Sequence, residues 1–272
     1  MFLITGATGN VGRPLVSALL AAGAPVRALT RRPADAGFPE GVEVAATEDL
    51  PMDGVTAVFL HPAVARGGAG PLLKKAVDHG VRRAVVLSSQ AALDDDADNW
   101  IAVTHRDFER AVEASGLEWV FLRPGAFASN TLTWARTIRS QGVVRAPYGA
   151  AQVNPVHERD IAEVAARALL GDDLAGSAPV LTGPESLSQI DQARVIGEAI
   201  GRPVRFEELT PDEARAEMIG GHVPPAVADA LLRMFADAVG RPAEASPDVA
   251  RIMGRPARTF AQWTADHAAD FR

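Results

Sequence analysis

The sequence predicts an α/β protein, a doubly wound parallel sheet with a smaller, mainly helical C-terminal lobe. Three observations carry that prediction. The chain opens on a short apolar run, a glycine-rich turn and an amphipathic stretch, which is the strand-turn-helix start of a parallel sheet. Further short apolar runs recur at Pro25 to Thr30, Ala57 to His61, Arg83 to Leu87 and Leu117 to Leu122, with helix-spaced segments between them. Beyond Thr182 the strand-like runs thin out and helical patterns take over. At 272 residues, the chain is long enough for one large α/β unit with an appended lobe.

The first element is Phe2 to Thr5, a buried-strand pattern, and Arg13 to Ala22 is the helix that follows. The turn between them is Gly6-Ala7-Thr8-Gly9-Asn10-Val11-Gly12. Gly6 lets the chain reverse without Cβ strain, Gly9 admits a pyrophosphate to the backbone, and Gly12 allows the helix to pack closely on the strand. Phosphates would then rest on the helix N-terminus, where N–H groups and the dipole favour negative charge. Thr8, Asn10 and Val11 stand among the glycines and are read as part of the same site. The spacing is one residue wider than the G-x-G-x-x-G fingerprint. The second strand, Pro25 to Thr30, ends where an NAD site would carry an acid about 20 residues past the glycines. Here the residues are Thr30, Arg31 and Arg32. A carboxylate would repel a 2′-phosphate, whereas a guanidinium grips it in a fork, so the cofactor indicated is NADP(H).

Arg32 to Asp35 reads as a turn and Val42 to Val44 as a short strand. Ala57 to His61 is a buried strand that brings His61 and Pro62 to the carboxyl edge of the sheet, where open α/β folds bind ligands. The glycines at 67, 68 and 70 read as a loop. Leu72, Leu73, Ala76 and Val77 then form the apolar stripe of a helix, with Lys74 and Lys75 toward solvent. Arg83 to Leu87 delivers Ser88, Ser89 and Gln90 to the same edge, although a serine pair equally suits the cap of a turn. Asp94 to Asp98 reads as an acidic, solvated loop. The next helix is expected to start near Thr104, an N-cap with Asp107 at the capping-box position and Phe108, Ala111 and Val112 as its stripe. His105 would then lie in the first turn, where the dipole disfavours an imidazolium. It is the candidate catalytic residue, able to orient a substrate oxygen or donate a proton; a structural histidine held in loop hydrogen bonds is the other reading.

Gly116 ends that helix and Leu117 to Leu122 is the next strand, with Arg123-Pro124-Gly125-Ala126-Phe127 emerging from it. Asn130, Trp134 and Tyr148 could wall a substrate cavity or belong to the core. Asn154 to His157 is a turn into a helix headed by Asp160, and His157 faces a cleft or supports that turn. Pro179 to Thr182 is a further strand, Gln189 to Ile200 a long helix, and Val204 to Leu209 a strand. Helices follow around 211–220, 224–239 and Thr259 to Phe271, the last burying Phe260, Trp263 and Phe271. This segment is expected to form a substrate lid.

On these residues the chain resembles the atypical short-chain dehydrogenase/reductases of the NmrA-like group, which includes NADPH-dependent quinone reductases. The resemblance rests on residues 6 to 12, Arg31, Ser88-Ser89, the His105 to Glu109 segment, Leu122-Arg123-Pro124-Gly125, and Asn154-Pro155-Val156-His157 leading to Asp160-Ile161-Ala162. It implies that Ser88 and Ser89 lie near the nicotinamide and that His105 falls close to where the family's catalytic segment passes it. It also implies that the turn carrying Pro124 closes over the ring, with Phe127 near the substrate. The expected division is an NADP-binding Rossmann domain at 1–152, with 153–272 holding the remaining Rossmann elements interleaved with the substrate lobe.

Composition narrows the function further. The chain is 47% hydrophobic and 22% charged, as a globular protein is, and it holds no apolar run of the roughly 18 residues a membrane helix needs. With its first strand at residue 2 and no signal-peptide pattern, it is expected to be cytoplasmic. The absence of cysteine excludes disulfides, thiolate metal sites and cysteine nucleophiles, and no metal is expected. A net charge of −7 argues against a nucleic-acid partner. Lys74 and Lys75 are the only lysines and Tyr148 the only tyrosine, with Gln152 four residues on, so the Tyr-x-x-x-Lys pair of many short-chain dehydrogenases cannot exist here. A conjugated acceptor tolerates that loss, because it delocalises the arriving charge. The expected activity is therefore an NADPH-dependent reductase passing hydride to a small-molecule acceptor, a quinone, an enone or a related conjugated carbonyl, in a monomer or homodimer. The competing readings are a non-catalytic NADP(H)-sensing regulator of a protein partner and a tailoring reductase of a polycyclic metabolite.

Overall fold

The computed structural model describes residues 1–65 and 68–272. Its elements run β1 (Phe2–Ile4), α1 (Gly12–Ala21), β2 (Val26–Thr30), β3 (Val42–Ala46), β4 (Ala57–Leu60), α2 (Gly70–Asp78), β5 (Arg83–Leu87), α3 (Trp100–Ala114) and β6 (Glu118–Pro124). Then come α4 (Ala135–Gln141), β7 (Val143–Ala146), β8 (Gln152–Val153), α5 (Glu158–Leu170), β9 (Val180–Leu181), β10 (Leu187–Ser188), α6 (Gln189–Ile200) and β11 (Arg205–Glu208). The chain ends with α7 (Pro211–Gly220), α8 (Pro225–Asp237), α9 (Asp248–Met253) and α10 (Phe260–Asp266). No helix among the described residues is long and apolar enough to cross a membrane.

Two compact units share the chain. The first comprises Met1–Asp95, Ala102–Pro124 and Glu158–Leu181; the second comprises Asp96–Ile101, Gly125–His157 and Thr182–Arg272. A single cut between residues 152 and 153 therefore does not describe the division. The reason is strand pairing. Val143 to Ala146 pairs in parallel with Arg205 to Glu208, which draws the segment after β6 to the C-terminal residues, while β9 returns to pair with β6.

In the first unit seven parallel strands run in the order β3-β2-β1-β4-β5-β6-β9. The order reverses between β1 and β4, which makes their carboxyl ends the topological switch point. Leu3, Leu29, Val58, Leu60, Ala84 and Val86 share a core with Leu72, Leu73 and Ala76 of α2 and Phe108 and Val112 of α3. Every second strand residue contributes to this face, as a pleated sheet requires. Elsewhere in this unit α1 packs against α5, each burying its own apolar stripe. Val77 departs from expectation and is 44% exposed. Leu73 and Ala76 occupy the core face of α2, and the next residue is rotated about 100° away from it.

The helix carrying His105 starts earlier than the capping pattern predicts. It begins at Trp100, so Thr104 is an interior, exposed residue and His105 lies in the second turn. Trp100 to Val103 contain no helix breaker, and a threonine interrupts a helix only weakly. β6 likewise runs on through Arg123 and Pro124, because these residues pair with β9. Gly67, expected in the loop before α2, lies outside the described residues; Gly70 opens the helix itself.

The second unit has its own core of Ile138, Val144, Ile196, Phe260, Trp263 and Phe271. Trp263 stacks on Phe260 with ring centres 5.5 Å apart and meets Phe271 edge-on at 6.1 Å. Reciprocal capping boxes start three of its helices, from Ser188 and Asp191, Thr210 and Glu213, and Thr259 and Gln262. The last helix is shorter than its apolar pattern suggests, stopping at Asp266 and continuing as a 3-10 turn over Ala268–Phe271.

Candidate functional site

The glycine turn sits at the switch point and its geometry is dictated by backbone contacts. The Thr5 hydroxyl donates to the Phe59 carbonyl (2.9 Å) and accepts from the His61 N–H (2.7 Å), tying the end of β1 to the end of β4. Gly6 follows with φ +61°, in the left-handed region that favours glycine. A Cβ on Gly12 would lie 2.2 Å from the Gly6 carbonyl oxygen and 2.7 Å from Ala7 Cα, so no other residue fits there. The Gly9 N–H donates to the Gly6 carbonyl (3.0 Å), and Thr8 Oγ1 lies 3.4 Å from Thr30 Oγ1 at the end of β2. Asn10 is exposed and Val11 is buried.

The helix that follows is left open to an anion. Val11 stands at the N-cap of α1 with no side-chain cap, and no acidic residue lies in the first turn. Within the first turn the Arg13 N–H is used on the Gly9 carbonyl (3.0 Å) and Pro14 has none, so it is the positive end of the helix that is left with no negative side chain to meet. A pyrophosphate fits such a cradle.

At the end of β2, Arg31 and Arg32 are exposed, and Arg32 faces Asp35 at 3.7 Å, a contact of little strength in water. Sequence reasoning missed a third cation in the same region. Arg13, in the first turn of α1, donates from Nη2 to the Ala36 carbonyl (3.0 Å) and lies over the Phe38 ring at 5.0 Å. The signal was an arginine immediately after the last glycine, with its guanidinium free to reach the loop beyond Arg32.

The carboxyl ends of β4, β5 and β6 bring together several of the expected residues. His61 accepts the Ala63 N–H on Nδ1 (3.1 Å), and Pro62 starts a 3-10 turn. The two serines have different tasks. Ser89 Oγ accepts from the Ala91 N–H (3.1 Å) and caps the Gln90–Leu93 turn, the local role the sequence also allowed. Ser88 is buried, its N–H donates to the Leu122 carbonyl (2.8 Å), and its hydroxyl donates to Glu109 Oε1 (2.6 Å). Glu109, itself buried, receives both arms of Arg123, at 3.0 Å on Oε1 and 2.6 Å on Oε2. That bond pushes the Arg123 guanidinium further above its already high pKa. Pro124 is buried at the end of the strand. The Ser88-Glu109-Arg123 network was not foreseen.

His105 lies one helical turn before Glu109, and its Nδ1 is buried without a hydrogen-bond partner. Burial lowers its pKa from the ordinary 6.5; the Glu109 charge opposes that shift and the neighbouring His61 adds to it. The imidazole is thus held neutral at pH 7 by desolvation, in place of the first-turn dipole that the sequence suggested.

The remaining candidates belong to the second unit. Phe127 forms a bridge with Val156 there, Asn130 is exposed, and Tyr148 is half-buried at φ +57°. Trp134 lines a cavity of about 520 Å³ together with Arg136, Arg145 and Glu217. His157 is buried with Nε2 3.4 Å from Asp266 Oδ2, which makes it a support of the turn before α5.

A family model described as NAD(P)H-binding matches residues 6–172. A (4-alkanoyl-5-oxo-2,5-dihydrofuran-3-yl)methyl phosphate reductase of Streptomyces griseus is 43% identical, across 100% of this chain and 99% of the relative. An NAD(P)H azoreductase of Xenophilus azovorans is 34% identical, with the same coverage. Among solved structures, the NADPH-dependent quinone oxidoreductase of Escherichia coli complexed with NADPH superposes with a TM-score of 0.81 at 23% identity, over 98% of this chain and 99% of that one. The Citrobacter sp. triphenylmethane reductase complexed with NADP(H) gives 0.76 at 21% identity, over 98% and 99% of the two chains. The chain therefore belongs to the NAD(P)H-binding family, among the atypical short-chain dehydrogenase/reductases of the NmrA-like group that its motifs resemble.

Proposed function

We propose that the protein is an NADPH-dependent reductase that delivers hydride to a conjugated acceptor, a quinone, an enone or a related carbonyl. The observation that carries this reading is the open, uncapped start of α1 behind Gly6, Gly9 and Gly12, with Arg31 and Arg32 where an NAD site would place an acid and Arg13 reaching from α1 to the loop beyond them. The turn and the helix start would hold the pyrophosphate, and the arginines the 2′-phosphate. His61, Pro62, Ser88, Ser89 and Pro124 would adjoin the nicotinamide at the sheet edge. Bound NADPH supplies the hydride.

The acceptor class follows from what the edge lacks and what it holds. With no tyrosine-lysine pair to protonate an isolated ketone, the chemistry needs an acceptor that spreads the arriving charge. A neutral His105 can polarise the acceptor oxygen or pass it a proton, as neutral imidazoles do. The named substrate of the 43% identical relative is an oxo-dihydrofuran bearing an alkanoyl group and a methyl phosphate, in which the ring double bond is conjugated to carbonyls. That makes an acyl butenolide a well-supported acceptor to try beside a simple quinone. The test is NADPH oxidation with each acceptor; sustained turnover with either supports the reading. A protein that binds NADPH and never turns it over would instead be the non-catalytic sensor, which the missing Tyr-x-x-x-Lys pair equally permits.

A further inference from the structure

We infer that Glu109 is a positioning residue that turns Ser88 into an obligate hydrogen-bond acceptor, so that the sheet edge selects a pyridine ring bearing an intact carboxamide. This rests on the proposed placement of the nicotinamide at that edge. A serine hydroxyl has one proton. Ser88 gives it to Glu109 Oε1 at 2.6 Å, and a carboxylate has none to return. The carboxylate cannot swing away, because both its oxygens are held in the Arg123 fork. The remaining lone-pair capacity of Ser88 Oγ can therefore only accept.

The neighbouring groups do not make the same distinction. The Ser88 N–H is used on the Leu122 carbonyl, and Ser89 Oγ, which accepts the Ala91 N–H, keeps a proton that it can give equally to a carboxamide or an acetyl oxygen. An incoming group that satisfies Ser88 must bring an N–H or O–H. The carboxamide NH₂ of a nicotinamide does so; the methyl of an acetyl group of nearly equal size does not. The charged pair thereby converts a small hydroxyl into a filter for one functional group, and the anionic partner strengthens its acceptor character.

The experiment titrates the full-length protein with NADP+ and with 3-acetylpyridine adenine dinucleotide phosphate, in which acetyl replaces the carboxamide, and reads the affinity ratio. The expected preference for NADP+ is about tenfold, the worth of one such hydrogen bond. Ser88→Ala should lose that preference while leaving the Glu109–Arg123 pair in place, and Ser88→Thr, which keeps the hydroxyl, should retain it. Glu109→Ala should also lose it, because the Ser88 hydroxyl is then free to turn its proton toward the incoming group, and a folded Glu109→Ala that keeps the preference overturns the inference. If Glu109→Ala fails to fold, the double variant Glu109→Leu, Arg123→Met, which removes the pair together, makes the same test. Equal binding of both dinucleotides to the unmodified protein, or undiminished preference in Ser88→Ala, overturns the inference and leaves the cofactor assignment standing. Failure of the unmodified protein to bind either dinucleotide overturns both.

Discussion

His105 shows how far a single residue can be read from sequence and where contact information takes over. A lone histidine beside a serine-bearing strand end was legible as a candidate, and its neutral state was anticipated, but the cause was not. Burial of its ring, with Nδ1 unpartnered, lowers the pKa below 6.5. Charging it in the folded protein is therefore harder than in the unfolded chain. Its contribution is fully favourable above pH 6.5 and is lost as the pH falls through the lowered folded value. Urea melts should show His105→Gln losing less stability than the unmodified protein over that acid window; parallel curves would show that His105 does not titrate there. In turnover, His105→Ala should cost roughly 10²–10⁴-fold if the imidazole is the acid, with NADPH affinity unchanged. A small loss would hand the proton to water. Arg31→Asp makes the complementary residue-scale test: titrations should show NADPH affinity falling while NADH affinity is held or gained. The network beside His105 was illegible because Ser88 and Glu109 are 21 residues apart and Glu109 and Arg123 are 14 apart, one just past β5, one on α3 and one on β6. No local spacing announces such contacts.

Among the elements, the β1-turn-α1 unit was legible because its constraints are local. Three glycines at fixed spacing shape one turn, and the structure gives Gly12 a backbone neighbour at 2.2 Å from any Cβ. Gly12→Ala should therefore abolish measurable NADPH binding and lower the melting temperature. Gly70→Ala, at the start of α2 with open space around a Cβ and no positive φ, should change neither. The start of α3 was misplaced because Thr104 and Asp107 form a plausible box in sequence, while the helix already has four residues before Thr104. β5 carries a contact the sequence hid altogether. Arg83, 1% exposed, donates to the Ala168 and Gly171 carbonyls at the end of α5 and forks onto Glu118. It thus fills the role of a C-terminal cap from another strand. Arg83→Met should cost about 1–3 kcal/mol, chiefly from the orphaned Ala168 and Gly171 carbonyls, since Glu118 is half-exposed and water can replace its partner, as read from the shift in urea midpoint.

For the whole molecule, the parallel sense of the sheet was legible because fully buried strands leave continuous apolar runs. The second unit was less so. Its strands β7, β8 and β10 have four, two and two residues, too short for periodicity to register. The pairing of β7 with β11 joins segments some sixty residues apart, so the true division of the chain could not be read along it. Function was legible to the level of a nicotinamide-dinucleotide protein, since the phosphate cradle is local; the acceptor is not, since it depends on surfaces assembled from distant residues. The most direct test of the reductase assignment is the rate of NADPH oxidation by the purified protein, given a simple quinone and an acyl butenolide in turn. The assignment predicts many turnovers per molecule with at least one acceptor, faster with NADPH than with NADH. Tight NADPH binding with no oxidation by either acceptor would contradict it.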